Sequence, residues 1–184
     1  MPSRGLPIEG NVELLARIRQ VRLAAFDVDG VLTNGLLYYT DGGEEFKAFN
    51  VQDGHGIKML QESGVVIAIV TSRTSKLVAN RAHNLGITHL YQGVENKREA
   101  MEALLERVGL DWVAASYMGD DVIDLPVLRR CGFAATVPGA PALVRQHAHY
   151  VTSSSGGRGA VREFAELVLQ AQGTLDTVLA RYLA

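Results

Sequence analysis

Two periods of apolar spacing alternate along this chain. Val21-Arg22-Leu23-Ala24-Ala25-Phe26 reads as a strand that runs straight into Asp27-Val28-Asp29-Gly30. Val65 to Val70 is a continuous apolar run rich in β-branched residues, the pattern of a parallel strand buried on both faces. Ala114 to Met118, Phe133 to Val137, and the short runs His89-Leu90-Tyr91 and Tyr150-Val151 complete the strands. Between them the period is helical. Asn11 is placed to cap a helix carrying Leu14, Leu15 and Ile18 on one face. Ser75 is placed to cap another that closes at Leu85-Gly86. Met101, Leu104, Leu105 and Val108 share a face within a helix over 95–108, and helical stretches follow at 141–147, 159–170 and in the tail over 173–184. Strands alternating with helices predict an α/β fold: a Rossmann-like parallel sheet with helices on both faces.

One insertion breaks the alternation. Gly35 to Thr40 and Glu45 to Phe49 flank Asp41-Gly42-Gly43, a turn tripeptide between two β-prone runs, which predicts a protruding hairpin over 35–50. A lone hairpin is marginal in water, so this one is expected to pack against something, another subunit included. The 184 residues correspond to a single domain over 1–184, with a loose arm over 1–10 that carries two prolines and two glycines.

Composition narrows the class. Apolar residues are 47% and charged residues 21%, an ordinary globular balance. Lys plus Arg is 18 against 20 Asp plus Glu, a net charge of -2, so no basic field argues for nucleic acid. The single cysteine, Cys131, permits no internal disulfide and suits a reducing cytoplasm. Val65 to Val70 is far too short to span a bilayer, and no signal-like stretch opens the chain, so neither a membrane nor export is expected.

The candidate chemistry gathers where strands end. In a parallel α/β sheet, ligands sit beyond the carboxyl ends of the strands. Here those ends carry Asp27 and Asp29, Thr71 and Arg73, and Asp120 and Asp121. Two carboxylates as close as Asp27 and Asp29 repel unless a cation or a proton lies between them. Magnesium suits such an all-oxygen site, and Asp120 is placed to add a further carboxylate. A carboxylate can also attack phosphorus, with a second acting as general acid and base. Taken alone, the pair is equally an acidic turn that binds solvent. Thr71 is a hydroxyl able to bind a phosphoryl oxygen, or simply a strand terminus. Lys97 opens a helix, where a cation opposes the dipole, which favours an anion-facing role over plain solvation. Asp120, Asp121 and Asp124 are either metal-binding or acids decorating a helix start. Arg73 and Arg81, eight residues apart, are candidates for a substrate carboxylate or phosphate, or ordinary surface arginines. Gly156-Gly157-Arg158-Gly159 before a helix reads as an anion-binding loop or a flexible one. His55, His83, His89, His147 and His149 show no zinc-ligand spacing.

These residues resemble the four motifs of the haloacid dehalogenase superfamily. Asp27-Val28-Asp29-Gly30-Val31-Leu32-Thr33 is similar to the first motif, Thr71 to the second, Lys97 to the third, and Gly119-Asp120-Asp121 with Asp124 to the fourth. Residues 35–50, Asp53-Gly54-His55-Gly56-Ile57, Thr71-Ser72-Arg73, Leu85-Gly86-Ile87 and the run from Gly156 to Glu163 are similar to the 3-deoxy-D-manno-octulosonate 8-phosphate phosphatases within it. The likeness covers about 22–169.

The resemblance implies a magnesium-dependent phosphomonoesterase of lipopolysaccharide precursor synthesis. Asp27 is then the nucleophile and Asp29 the general acid and base. Magnesium is held by Asp27, the Asp29 main-chain carbonyl and Asp120, while Thr71 and Lys97 neutralise the phosphoryl group. It also implies a homotetramer without a cap domain, in which Lys47 reaches a neighbour's substrate. The chain agrees with the missing cap: 35 residues separate Asp29 from Val65 and five separate Tyr91 from Lys97, too few for a folded cap. Asn34 stands where the family often has Asp, and Ser72 where it often has Gly. Two alternatives accompany this reading: a phosphatase for another acidic sugar phosphate, such as a nonulosonate 9-phosphate, and a non-catalytic partner-binding domain.

Overall fold

A computed structural model describes residues 10–183. The arm expected over 1–10 lies outside the described residues, apart from Gly10. Helix α1 (Val12–Arg19) leads into β1 (Leu23–Phe26). A short ribbon, β2 (Tyr38–Tyr39) and β3 (Glu45–Phe46), precedes α2 (Val51–Glu62). Then come β4 (Val66–Val70), α3 (Lys76–Leu85), β5 (His89–Tyr91) and α4 (Lys97–Val108). The chain continues through β6 (Ala115–Met118), a 3-10 turn at Val122–Asp124, α5 (Leu125–Leu128), β7 (Phe133–Thr136) and α6 (Ala142–His147). It ends with β8 (Tyr150–Val151), α7 (Ala160–Ala171) and α8 (Leu175–Leu179).

The six main strands form one parallel sheet in the order β5-β4-β1-β6-β7-β8. From β1 the chain steps outward to β4 and β5. Helix α4 carries it back across, and β6, β7 and β8 step outward on the other side. The order therefore reverses beside β1, the position where open α/β sheets bind ligands. All four residues of β1, β6 and β7 are buried, and the apolar core continues through both helical layers. Helices α1, α2 and α7 pack together on one face, with α3 against α2; α4, α5 and α6 cover the other. Among the described residues there is no cap domain, and no helix is long and apolar enough to cross a membrane.

Local signals account for most boundaries. The Asn11 side chain accepts the Leu14 N–H at 3.0 Å, and Leu14 and Ile18 are buried. Ser75 caps α3 through the Leu77 N–H, and Gly86 closes it in a left-handed conformation with φ of 70°. Of the tail, Val178 is buried and Leu175 and Leu179 pack against the core, while Leu183 is exposed.

The sequence pattern marked only the start of α2, because Gly54 and Gly56 weaken a helix. Tertiary packing explains both glycines. A Cβ on Gly54 would lie 2.2 Å from Arg81 Nη2, and one on Gly56 would lie 3.0 Å from the Arg162 Cα on α7. The close approach lets Asp53 reach across from α2. Its carboxylate accepts the Gly159 N–H at 3.2 Å and the Arg162 N–H at 2.9 Å, capping α7, whose own N-cap is a glycine. Burial pushes the Asp53 carboxyl up, against the pull of these backbone donors. Asp53→Ala leaves those partly buried donors without their cap and is expected to cost about 2 kcal/mol. Scanning calorimetry checks it: a melting temperature unchanged from the wild type contradicts the cap.

Candidate active site

Three adjacent strands end at one edge. Phe26, the last residue of β1, sits between Ile69 of β4 and Met118 of β6. The residues that follow therefore meet. Asp27, Asp29, Thr71, Ser72, Arg73, Asp120 and Asp121 line a cleft of about 230 Å³. A larger groove of about 430 Å³ lies where Val21 and Val65 precede β1 and β4, and carries Arg19, Arg22 and no carboxylate. Chemistry, not size, selects the smaller cleft.

Asp27 is 5% exposed. Its Oδ1 accepts the Val28 N–H at 2.7 Å, and its Oδ2 pairs with Lys97 Nζ at 2.7 Å. Lys97 is the first residue of α4 and is buried, although Asn96 caps the helix and leaves the dipole opposed to it. The ammonium is held instead by two carboxylates, Asp27 and Asp124, each at 2.7 Å. Burial pulls the Lys97 pKa down, but Asp124 and Asp27 outweigh it and leave it raised. Lys97 is a fixed cation.

Asp27, Asp120 and Asp124 place carboxylate oxygens within 4.8 Å of one another. Burial, then Asp124, pushes the Asp27 carboxyl up to about 6, although Lys97 opposes the shift. Burial, then Asp27 and Asp124, pushes Asp120 up to about 7. Carboxylates held together in this way favour a bound cation. Asp124 is already committed: Oδ1 accepts from Lys97 Nζ and the Tyr117 hydroxyl, and Oδ2 accepts the Asp120 and Asp121 N–H groups. Asp121 caps the 3-10 turn through the Val122 N–H at 2.7 Å. Asp27 and Asp120 are thus the carboxylates left to hold a metal, an all-oxygen set that fits magnesium. Gly30 makes room for it: φ is 86°, and a Cβ there would fall 1.9 Å from Asp120 Oδ2.

The hairpin closes the outer side. Lys47, its side chain 2% exposed, pairs with Asp29 Oδ1 and lies 3.3 Å from Glu45 Oε1. Arg73 Nε lies 3.7 Å from Asp29 Oδ2, and Arg73 Nη2 lies 2.9 Å from Glu45. Two acids and two cations so join the hairpin to the cleft. Buried Thr71 accepts the Arg73 N–H on its Oγ1 at 3.5 Å.

No protein-family profile matches this chain. It is 48% identical over 166 residues to the 3-deoxy-D-manno-octulosonate 8-phosphate phosphatase KdsC of Escherichia coli strain K12, covering 90% of this chain and 88% of that protein. The chain belongs to the 3-deoxy-D-manno-octulosonate 8-phosphate phosphatase family. A solved member from Moraxella catarrhalis, in complex with magnesium ion, phosphate ion and KDO, superposes with a TM-score of 0.90 at 40% identity, covering 92% of this chain and 98% of that one. The member from Yersinia pestis superposes at 0.88 with 46% identity, covering 90% and 89%.

Within this phosphatase-family fold, the cleft brings together Asp27, Asp29, Thr71, Arg73 and Asp120, with Lys97 buried directly behind Asp27. Arg81 stands apart. It donates to the Asn50 carbonyl at 3.1 Å, lies over the Phe49 ring, and does not line the cleft, because Gly54 opens a slot that takes its guanidinium at the base of the hairpin. The expectation that Arg81 faces the same side as Arg73 is corrected accordingly. Lys47, expected to reach a neighbour's substrate, pairs here with Asp29 of its own chain. In the loop over 156–159, the Gly157, Arg158 and Gly159 N–H groups all donate within the chain. Gly157 N–H donates to the Val31 carbonyl at 2.9 Å, and the loop lies directly on the first motif. Asn34 bridges the Tyr38 hydroxyl and the Leu36 N–H at the root of the hairpin.

Sequence reasoning passed over Tyr117 and Glu45. The signal for Tyr117 was present: a phenol in the middle of a buried strand must find a polar partner. Glu45 carried no such signal, because one of its two partners, Arg73, comes from the loop after β4.

Proposed function

We propose that this chain is a magnesium-dependent phosphatase that hydrolyses 3-deoxy-D-manno-octulosonate 8-phosphate to 3-deoxy-D-manno-octulosonate and phosphate, within lipopolysaccharide precursor synthesis. One observation carries the reading: buried Asp27 and half-buried Asp120 share the switch-point cleft with a threonine hydroxyl, and a fixed lysine pairs with Asp27 from behind. The family's solved complex with magnesium, phosphate and KDO supports the substrate class.

Asp27 attacks the phosphorus, and the phosphorus–oxygen bond to the sugar breaks. Asp29 gives the departing alcohol its proton. Asp29 then takes a proton from the water that cleaves the aspartyl phosphate and frees Asp27. Thr71 Oγ1 and Lys97 Nζ hold the phosphoryl oxygens, positioning and neutralising them through the transfer. Asp27, Asp120 and the Asp29 main-chain carbonyl are the groups that would hold magnesium, which when bound supplies charge that lets two carboxylates face a phosphate. Arg73, on the cleft lining, and Lys47, paired with Asp29 beside it, are suited to an acidic sugar.

The proposed assembly is a single phosphatase domain over 1–184, assembled into a cytoplasmic homotetramer. The hairpin supports the assembly: Leu36, Leu37, Tyr39 and Phe46 are 59%, 47%, 57% and 50% exposed, an apolar ribbon that favours a covering surface. Free Cys131 and the lack of a long apolar helix among the described residues support the location.

The test is phosphate release from 3-deoxy-D-manno-octulosonate 8-phosphate, with magnesium and with chelator, beside nonulosonate 9-phosphates. Magnesium-dependent turnover that prefers the octulosonate ester is expected. Preference for a nonulosonate ester overturns the substrate, and no turnover of any ester favours the partner-binding alternative. Sedimentation of the same preparation as a monomer removes the assembly.

A further inference from the structure

The proposed chemistry leaves Tyr117 without a part. It is fully buried in β6 and lines no portion of the cleft. Its hydroxyl nevertheless ends two bonds from Lys97, through Asp124. It donates to Asp124 Oδ1 at 2.8 Å; the Val70 carbonyl, at 3.5 Å, is a distant second acceptor. Burial, then the Asp124 charge, holds the phenol well above its usual range, so it remains a donor.

The oxygen it binds is the one that competes for Lys97. Asp124 Oδ1 and Asp27 Oδ2 each take Lys97 Nζ at 2.7 Å. Asp124 Oδ2 is occupied by two backbone N–H groups, at 3.0 and 3.1 Å. Tyr117 is therefore the other side-chain donor on Oδ1, and it takes part of that oxygen's accepting capacity. Without the hydroxyl, Oδ1 turns wholly to Lys97 and draws the ammonium away from Asp27.

We infer that Tyr117 is a positioning residue: its hydroxyl, bound to Asp124, keeps Lys97 divided between Asp124 and Asp27 and so within reach of the phosphoryl group. The inference rests on the role proposed above for Lys97. It adds a residue that sets that role from behind the cleft.

Tyr117→Phe keeps the ring and deletes the hydroxyl. On the octulosonate ester, kcat is expected to fall about tenfold or more, the scale of one hydrogen bond to a charged group. KM and the magnesium concentration for half-activation are expected to hold within about twofold, because the substrate and metal groups are untouched. Inhibition by orthovanadate, a mimic of the transferring phosphoryl group, is expected to weaken in parallel. Calorimetry of vanadate binding to Lys97→Met and to Lys97→Met with Tyr117→Phe is expected to give equal affinities, since residues acting through one another are not additive.

A folded Tyr117→Phe with near wild-type kcat overturns the inference. So does a vanadate loss of equal size in both backgrounds. A loss appearing wholly in magnesium activation also overturns it, since the hydroxyl would then act on the Asp120 loop. If Tyr117→Phe does not fold, 3-fluorotyrosine at 117 keeps the hydroxyl and makes it a stronger donor. Vanadate affinity is then expected to rise, and an unchanged affinity overturns the inference. Wild-type protein that turns over no ester removes the proposed function instead, and the vanadate comparison still decides the hold of Tyr117 on Lys97.

Discussion

Asp27→Asn is expected to abolish measurable turnover, with a loss on the order of 10⁴-fold or more, as befits removal of a nucleophile. The same substitution is expected to make the magnesium-free protein more stable. The Asp27 carboxyl moves from an ordinary 3.8 up to about 6 in the fold, through burial and then Asp124. A raised folded pKa means the fold disfavours the charged form. The favourable contribution is complete below the unfolded value and is lost as pH rises through the folded one. Asp120, raised to about 7, adds to the same slope. Magnesium-free protein should therefore lose stability between about pH 4 and pH 7. The amide that replaces the carboxylate carries no charge to bury and keeps the shape. The melting temperature of this variant in chelator at pH 8 is expected to rise by about 4–8 °C, corresponding to roughly 2 kcal/mol. Phosphate release and calorimetry read the two halves separately. Retained turnover contradicts the nucleophile, and a lower melting temperature contradicts the electrostatic account.

Gly156→Ala is expected to be the most damaging substitution for the fold. A Cβ there would lie 1.7 Å from the Gly30 carbonyl oxygen and 2.5 Å from its carbon. Both are backbone atoms, so no side chain can swing aside. Gly157 follows with φ of 64° and a Cβ position 2.6 Å from the Thr33 carbonyl carbon, which leaves the loop no second route. The first motif must move, and Gly30 lies directly against the Asp120 carboxylate. A cost of about 4 kcal/mol or more is expected, lowering the melting temperature by about 10 °C. Whatever folded protein remains should need more magnesium for half-activation. A variant that melts within about 2 °C of the wild type refutes the buttress.

Both predictions turn on distances between segments far apart in the chain, and the legibility of the protein divides along the same line. The strands were readable because a parallel strand buried on both faces must be continuously apolar, as in Val65 to Val70. Helix ends were readable because Asn11, Ser75 and Gly86 satisfy or terminate backbone groups within a few residues of themselves. Asp27, Thr71 and Asp120 stood out because each sits where a strand's apolar run stops, and Lys97 because it opens a helix against the dipole.

Other features had no local cause. Helix α2 carries Gly54 and Gly56 because Arg81 and α7 press against it. Arg81 looked like a partner of Arg73 by helical spacing, yet the slot beside Gly54 draws its guanidinium to the Asn50 carbonyl. The glycines at 156 and 157 gave no local sign that they are the contact surface between the α7 loop and the first motif.

The sequence by itself determined the strand and helix order, the ligand edge and the charged residues on it, because backbone pairing and burial act on neighbouring positions. Only the tertiary structure decided how those charges are shared. Lys97 lies between Asp27 and Asp124, Tyr117 holds Asp124 from behind, and Lys47 with Arg73 joins the hairpin to Asp29. Hydrogen bonds and ion pairs act over about 3 Å, and only folding brings residues so far apart in sequence to that separation.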